Sequence, residues 1–370
     1  MTFKNVTINT AFPGKARSRV MIVYTGGTFG MTQNADGVLV PFNFSHILEH
    51  LPTLRNLSLD LTVTSFDQPI DSSNLEPVHW QLIARLLFEH RPGQDGFVVL
   101  HGTDTMAYTA SALSFMLPDF GKAVVFTGAQ LPISHPRSDA RENLITALEI
   151  ASAKDGSHSR VPEVCIHFGT ELLRANRAKK VESMHFDAFE SENYPPLAKA
   201  GVKITFNDGA IRRPGGEPRL LDRFDRGVAI LKLFPGISPA SIRAVIDMPN
   251  LKALILETYG SGNAPTSSEF LSAIRGALNR GILILNVSQC PGGMVTQGKY
   301  ETSRHLLEAG VLGGSDLTSE SAITKLMVLL GNYGLGDVRN LVTQNLAGEL
   351  TPATGAETAK NAEREGFEPS

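Results

Sequence analysis

The chain has 370 residues, 42% of them hydrophobic, which is more apolar material than one domain usually buries. Its 34 lysines and arginines nearly balance 37 aspartates and glutamates, and no basic block indicates a nucleic-acid partner. The two cysteines lie in apolar surroundings, which suggests packing residues and not a disulfide framework. We find neither a signal peptide nor an apolar stretch of membrane-spanning length. We therefore expect a cytoplasmic protein.

In the first two hundred residues, short apolar runs alternate with segments of helical periodicity. We predict strands at 20–24, 97–100, 123–126 and 164–168, and helices at 77–90, 105–117 and 138–153. The strands carry few charges, as strands buried on both faces do. Their alternation with helices predicts a parallel sheet with helices on both faces.

Residues 203–225 break this rhythm with prolines, glycines and charges, which indicates a linker or an excursion. Alternation resumes with predicted strands at 228–234, 253–257 and 283–287 and predicted helices at 238–247, 267–280 and 319–330. We therefore expect an N-terminal catalytic α/β domain at 1–205, a linker at 206–227 and a smaller C-terminal α/β domain at 228–352. The polar tail, 353–370, is expected to be disordered.

Two threonine-containing loops follow predicted strands. The first is Thr25-Gly26-Gly27-Thr28, whose glycines permit a sharp turn. This loop lacks the sequence patterns of a P-loop and of a dinucleotide-binding site. Taken alone, it is typical of a structural turn. The second is His101-Gly-Thr-Asp-Thr105. Its Asp104 or Thr105 could cap the next helix, and His101 is typical of a hydrogen-bonded structural histidine. Together, the loops place hydroxyls and a carboxylate where open parallel sheets bind ligands.

Two other segments have both structural and functional interpretations. Asp71-Ser-Ser-Asn74 precedes a predicted helix and is typical of capping, although its carboxylate and hydroxyls could also hold an amino group and a carboxylate. The basic run 172–180, LLRANRAKK, usually indicates surface charge, yet a lysine directed inward could serve as the base that a hydroxyl nucleophile needs. No spacing makes a convincing metal site, and we expect no cofactor.

Taken together, these motifs resemble those of the bacterial-type L-asparaginases, particularly the cytoplasmic type I group. The resemblance runs from about residue 19 to 352 and is carried by TGGTFGM, DSSN, HGTDTMAYTASALSFML, FTGAQLPI, RSDARENL, LLRANRAKK, PGI, TYGSGNAP and NLAGELTP. It implies a large N-terminal domain with a flavodoxin-like parallel sheet, a smaller C-terminal α/β domain, and a homodimer or homotetramer with sites at subunit contacts.

The resemblance also implies roles for individual residues. Thr28 matches the nucleophile of the family, whereas Thr103, Asp104 and Lys180 match its second threonine, aspartate and lysine. The residues that match the substrate-binding set, which holds the α-amino and α-carboxylate groups, are Asp71, Ser72, Ser73, Thr103 and Asp104.

The chain departs from the family pattern in two places. Val38 stands where many relatives carry a tyrosine in the loop after the first threonine, and Tyr300 is our candidate to replace that tyrosine. Some type I members are activated by asparagine at a second site. Cys290 matches part of that region, but Glu257 and Lys179 depart from its bacterial pattern, so we infer no allostery.

The expected activity is hydrolysis of L-asparagine to L-aspartate and ammonia through a threonine acyl-enzyme. Three alternatives stay open from the sequence. The substrate could be glutamine or an amide attached to a carrier, since one methylene is worth only about 1–3 kcal/mol in binding. Phospholipid-ester hydrolysis is associated with some animal relatives, and a non-catalytic asparagine-binding sensor would use the same binding residues.

Overall fold

The computed structural model describes residues 3–11, 14–33, 39–41, 51–298 and 301–352. The chain divides into two compact units, Met1–Phe224 and Asp225–Ser370, and this division falls inside the segment 206–227 that we predicted to be a linker. The tail predicted to be disordered, 353–370, lies outside the described residues.

The first unit contains three helices and fifteen strands in the part of the chain that is described. The helices are α1 (Pro77–His90), α2 (Met106–Met116) and α3 (Ala140–Ser152). The strands are β1 (Phe3–Asn9), β2 (Ser18–Tyr24), β3 (Met31–Gln33), β4 (Leu39–Pro41), β5 (Leu59–Phe66), β6 (Gly96–Leu100), β7 (Ala123–Thr127), β8 (Lys154–Asp155), β9 (His158–Ser159), β10 (Val164–Phe168), β11 (Glu171–Arg174), β12 (Lys179–Lys180), β13 (Phe189–Glu190), β14 (Ala198–Ala200) and β15 (Ile204–Phe206).

Nine of these strands form one sheet, in the order β1-β5-β2-β6-β7-β10-β11-β14-β15. The five strands from β5 to β10 are parallel, and their order in space is the 2-1-3-4-5 order of flavodoxin-like sheets. The predicted flavodoxin-like sheet is therefore confirmed. The outer strands β1, β11, β14 and β15 pair antiparallel, which we did not predict.

Apolar side chains explain why the central strands lie inside. Strands β6, β7 and β10 are buried along their whole lengths, because the sheet is covered on both faces. Helix α2 is buried at nearly every position, and the Nε1–H of Trp80 on α1 donates to the hydroxyl of Thr109 on α2. All three predicted helices of this unit are present, and α1 has the predicted bounds.

The segment after β15 packs within the first unit. Arg219 N–H donates to Pro118 O at 3.1 Å, and Leu221 N–H donates to Met116 O at 2.8 Å. Arg212 N–H donates to the carboxylate of Glu163 at 2.5 Å. Residues 211–221 are therefore fastened by backbone hydrogen bonds, even though their composition predicts irregular structure.

The second unit is the smaller α/β unit that we expected. Its four strands, β16 (Val228–Lys232), β17 (Ala253–Thr258), β18 (Leu283–Ser288) and β19 (Leu312–Gly313), pair in parallel and in chain order. Its described helices are α4 (Pro239–Ile246), α5 (Ser268–Asn279), α6 (Glu301–Ala309), α7 (Ser319–Asn332) and α8 (Leu335–Leu341). Leu254 and Ile284 belong to a core with α4 and α5, whereas Ile255 and Leu285 belong to a core with α7 and α8.

The two cysteines differ in exposure. Cys165 is buried in β10, and burial raises the pKa of its thiol well above its usual value. Cys290 is exposed, so the prediction that both are packing residues is wrong for Cys290, where the chain has already left the end of β18. In the described ranges, no helix is long and apolar enough to cross a membrane.

Candidate active site

The loops that carry the predicted site residues emerge from one edge of the nine-stranded sheet. In the parallel register Tyr24 is level with Ser65 and Leu100, and Leu100 is level with Thr127, so β2, β5, β6 and β7 end together. Each of these strands is followed by a polar loop. The geometry therefore gathers four loops at the carboxyl edge, where sheets of this order bind ligands.

The glycines of the first loop allow unusually close backbone contacts. Gly26 has a φ of +137°, and a Cβ there would lie 2.2 Å from Ile70 O. Gly27 has a φ of +85°, and a Cβ there would lie 2.6 Å from the Cα of Gly102. Thr28 follows immediately, is exposed, and begins the short 3-10 turn Thr28–Gly30. The loop is a structural turn, as its composition indicated, and it also presses Gly27 against the second threonine loop.

The segment Asp71–Asn74 forms a 3-10 turn against that second loop. The Asp71 carboxylate accepts from Ser73 N–H at 2.8 Å, so Asp71 does cap, although it caps this short turn and not α1. The hydroxyl of Thr105 donates to Ser72 O at 2.7 Å. Ser72 is buried, whereas Asp71 and Ser73 are exposed to solvent.

His101 is held in its neutral form at the base of the second loop. Its Nδ1 lies 2.6 Å from Gly102 O, and its Nε2 lies 2.9 Å from the hydroxyl of Thr109. A carbonyl only accepts, so Nδ1 carries the proton and Nε2 accepts from Thr109. Burial lowers the pKa of His101 to about 4. This histidine is hydrogen-bonded at both nitrogens and supports the backbone that presents Thr103.

Thr103, Asp104 and Lys180 form a compact hydrogen-bonded cluster. The Lys180 Nζ donates to the Thr103 hydroxyl at 2.8 Å and to the Asp104 carboxylate at 2.6 Å. The side chain of Lys180 is 18% exposed and that of Asp104 is 62% exposed. Thr105 occupies the N-cap position of α2 without a capping hydrogen bond from its side chain, so the capping interpretation of this loop is wrong for Thr105.

A small hairpin brings Lys180 to the threonine. Strand β12 pairs with β13, placing Lys180 opposite Phe189, whose ring packs on Phe168 with centroids 5.2 Å apart.

Upstream, the basic run is not a surface patch. Arg174 is buried, pairs with Glu163 at 2.6 Å and lies over the ring of Tyr194. The surface-charge interpretation is wrong at Arg174 because a buried carboxylate compensates the guanidinium.

Gln130 is part of this cluster, and our sequence reasoning assigned it no role. Its amide oxygen accepts from the Thr103 hydroxyl at 3.4 Å, and its amide nitrogen donates to His185 O at 3.0 Å. The available signal was its position, three residues beyond the end of the buried strand β7. The Asp139 carboxylate, at the start of α3, accepts from the backbone N–H of Gln130 and Leu131 and makes no capping bond to that helix.

The structure therefore brings Thr103, Asp104 and Lys180 together and places the loops of Thr28 and Asp71 beside them. Val38 and Tyr300 lie outside the described residues. A hydroxyl in contact with an amine can become a nucleophile or activate water, because the amine can take its proton.

Comparison with known proteins finds similarity over nearly the whole chain. The family model "Asparaginase, N-terminal" matches residues 19–212, and "Glutaminase/Asparaginase C-terminal domain" matches residues 227–340. L-asparaginase 1 of Escherichia coli (strain K12) is 40% identical over 341 residues, covering 91% of this chain and 99% of that protein. The 60 kDa lysophospholipase of Homo sapiens is 41% identical over 361 residues, covering 90% of this chain and 62% of that protein.

A solved structure agrees with these sequence matches. The crystal structure of L-asparaginase I from Vibrio cholerae superposes with a TM-score of 0.82 at 37% identity, covering 91% of this chain and 100% of that one. The two family models cover both units, and the relatives match over nearly the full length of the chain. The chain belongs to the bacterial-type L-asparaginase family of amidohydrolases, within its type I group.

Proposed function

We propose that this protein is an L-asparaginase that hydrolyses L-asparagine to L-aspartate and ammonia through an ester on Thr28. The observation that carries the proposal is the contact of Lys180 Nζ with the Thr103 hydroxyl at 2.8 Å, on the loop that Gly27 touches. A lysine shielded from water beside a hydroxyl is the arrangement that base-activated nucleophiles use. The similarity to L-asparaginase 1 of Escherichia coli supports the choice of substrate.

The α-groups of asparagine bind the polar loops at the sheet edge. The exposed carboxylates of Asp71 and Asp104 attract the α-ammonium group, and the segments of Ser72, Ser73 and Thr103 hold the α-carboxylate. These groups fix the substrate at both of its charged ends. The side-chain amide is thereby directed toward the threonines.

The reaction then proceeds in two halves. The Thr28 Oγ attacks the amide carbon, its proton passes to the departing nitrogen, and ammonia leaves a β-aspartyl ester. The Thr103–Lys180 pair, with the lysine in its amine form, takes a proton from water, and the resulting hydroxide attacks the ester carbon. As aspartate leaves, the pair returns that proton to the Thr28 oxygen and restores its hydroxyl. Fixed N–H donors stabilise each oxyanion, and loss of one such donor typically costs about 10²–10³ in rate.

Replacement of the two threonines tests this assignment. We expect Thr28→Ala and Thr103→Val each to lower kcat for ammonia release from L-asparagine by at least about 10³, because each removes a reacting hydroxyl. Thr28→Ser should retain measurable turnover, and Thr205→Val, at an exposed position in β15, should behave as wild type. Near-normal turnover in Thr28→Ala or Thr103→Val would remove that residue from the mechanism.

Two features lie outside the described residues or depend on a second subunit. Tyr300 is our candidate to assist the first threonine in place of the tyrosine that Val38 replaces, and Tyr300→Phe should lower kcat. The protein is also proposed to act as a homodimer or homotetramer. Light scattering of the purified protein decides between these assemblies and a monomer.

The main competing function is an amidohydrolase with another preference, because the matched C-terminal family model is described as glutaminase as well as asparaginase. The similarity to a lysophospholipase of Homo sapiens adds ester hydrolysis as a second candidate. Ammonia release from L-asparagine and L-glutamine over a concentration series, with fatty-acid release from lysophosphatidylcholine measured in parallel, separates these activities. Calorimetric asparagine binding without ammonia release would indicate a sensor.

A further inference from the structure

Gln130 lies between the two parts of the chain that carry the threonine and the lysine of the site. Its amide nitrogen faces the backbone carbonyl of His185, which can only accept a hydrogen bond, at 3.0 Å. Its amide oxygen therefore faces the Thr103 hydroxyl, at 3.4 Å. The orientation of the amide is fixed by this carbonyl.

The same reasoning fixes the direction of the Thr103 hydroxyl. The Lys180 Nζ donates to the Thr103 Oγ at 2.8 Å, so the Thr103 hydroxyl gives its own hydrogen to the Gln130 amide oxygen. The hydroxyl is thus held on two sides, with its lone pair toward the lysine and its proton toward the amide. Without Gln130, the Thr103 hydroxyl would keep only its hydrogen bond with Lys180, and its orientation would be less restricted.

Gln130 is itself held firmly. Its backbone N–H donates to both carboxylate oxygens of Asp139, at 3.0 and 3.1 Å. The Asn143 amide donates to the same carboxylate at 3.2 Å and to Gly128 O at 3.0 Å, and Asn143 is buried on α3. These contacts fasten the loop after β7 to a helix of the core, and they give a structural purpose to the FTGAQLPI and RSDARENL motifs.

We infer that Gln130 is a positioning residue, which orients the Thr103 hydroxyl and ties its loop to the hairpin that carries Lys180. His185 lies in the turn between β12 and β13, so the amide connects Thr103 directly with the short hairpin on which the lysine stands. This inference rests on the proposed function, because it concerns the threonine that acts on the acyl-enzyme.

Two replacements of Gln130 and one control test the inference. Gln130→Met keeps the length of the side chain and removes both hydrogen bonds, whereas Gln130→Glu keeps the acceptor toward Thr103 and loses the donor toward His185. Gln81→Met is the matched control, because Gln81 Nε2 makes a comparable bond to Asp222 O at 2.6 Å elsewhere in the same unit. Ammonia release from L-asparagine is measured over substrate concentration and pH, and folding is followed by circular dichroism.

For Gln130→Met we expect kcat to fall about tenfold, since small misplacements of a reacting group cost one to two orders of magnitude. The ratio kcat/KM should fall less, because the Thr103–Lys180 pair acts after the ester has formed. Gln130→Glu should recover part of kcat, and its carboxylate should move the acidic limb of the pH profile to higher pH by favouring the protonated lysine. A residue that only maintained the fold would lower kcat and kcat/KM by the same factor, because its loss would change only the fraction of active enzyme.

A wild-type kcat in Gln130→Met, or a Gln81→Met variant impaired to the same degree, would overturn the inference. So would a Gln130→Glu variant with an unshifted limb and no recovery of kcat. If Gln130→Met does not fold, Gln130→Glu against wild type decides alone, and a kcat that falls more than kcat/KM supports the positioning role, whereas equal falls contradict it. A wild-type enzyme that releases no ammonia contradicts the proposed function, whereas an active wild type with an unaffected Gln130→Met contradicts only the role of Gln130.

Discussion

Two buried histidines in the first unit are neutral at physiological pH. Burial lowers the pKa of His101 to about 4 and that of His167 to about 4, from an ordinary value of 6.5. His101 lies under the threonine loop, and His167 lies in β10 with its Nδ1 3.2 Å from Glu171 O. Each is an uncharged hydrogen-bonding group in the core, and neither is placed to titrate during catalysis near pH 7.

These histidines predict how stability depends on pH. Below pH 6.5 the unfolded chain binds protons at both histidines, whereas the folded chain does not until about pH 4, so stability falls as the pH drops between these values. At about 1.4 kcal/mol per pKa unit, each histidine accounts for a loss on the order of 3 kcal/mol in the free energy of unfolding over this pH range. Urea unfolding at several pH values should show a shallower decline for His167→Gln than for wild type. The control is His158→Gln, at an exposed position, and an identical decline in His167→Gln would contradict this account.

At the scale of the loops, two glycines decide how closely the first threonine loop approaches its neighbours. The left-handed conformations at Gly26 and Gly27 and their contacts with Ile70 and Gly102 leave no space for a Cβ. The distance between the loop of Thr28 and the loop of Thr103 is thus set by backbone contact. Side-chain packing elsewhere cannot compensate for an added methyl group at this point.

Gly27→Ala should therefore impair both stability and turnover. We expect a loss of about 1–3 kcal/mol from backbone strain, and a larger relative loss of ammonia release because the two loops are pushed apart. The matched control is Gly276→Ala in α5, where a Cβ meets nothing within 4 Å, and this change should stabilise by about 0.4–1 kcal/mol. Urea midpoints and kcat measure the two effects, and wild-type activity in Gly27→Ala would show that the contact is not required.

In the second unit, a buried ion pair fastens the end of the described chain. Lys325 and Glu349 are both fully buried and lie 2.6 Å apart. Lys325 also donates to Val342 O and Gln344 O, and Glu349 accepts from the N–H groups of Leu346 and Ala347. Burial lowers the pKa of Lys325, although Glu349 opposes this shift. The ion pair and its hydrogen bonds thus hold the irregular segment 342–349 against the buried part of α7.

Removal of one partner should be costly for that unit. Glu349→Ala leaves a buried ammonium without its counter-charge, and we expect a loss of about 3–5 kcal/mol. Glu308→Ala provides the control, because the Glu308–Arg304 pair on α6 is exposed and worth only about 0.3–0.5 kcal/mol. Urea unfolding monitored by circular dichroism compares the variants. A loss in Glu349→Ala no greater than in Glu308→Ala would mean that the pair is not a significant anchor.

For the molecule as a whole, the sequence predicted the strands that are apolar throughout and missed strands that are short or that mix apolar and polar residues. Strand β7, with the sequence AVVFT, was found because a strand buried on both faces is a continuous apolar run. Strand β5, with the sequence LDLTVTSF, lies inside the sheet but alternates apolar and polar residues, so it has no such run. The short outer strands β14 and β15 have only three residues each, too few to establish a period.

The candidate site could be predicted only as a set of loops. Strand ends identified the segments of Thr28 and Thr103, because parallel strands finish at one edge, whereas the Asp71 segment was noted only as preceding a predicted helix. The hydrogen bond from Gln130 to His185 joins residues 55 positions apart and ends on a backbone carbonyl. Any residue has such a carbonyl, so the sequence carries no mark of this partner. Burial of Arg174 was unreadable for a similar reason, since its compensating Glu163 is distant from the motif.

The position of Lys180 on a late hairpin also orders events during synthesis and folding. Thr103 and Lys180 are 77 residues apart in sequence, and the strand that pairs with the lysine ends at Glu190. A nascent chain can thus complete β2, β5, β6 and β7, and with them the gathered loops, while the lysine is still inside the ribosome. Closing contacts over such separations is entropically costly and slow, so catalytic competence should appear after the central sheet. Recovery of turnover during refolding would then report the docking of one hairpin and not the collapse of the core.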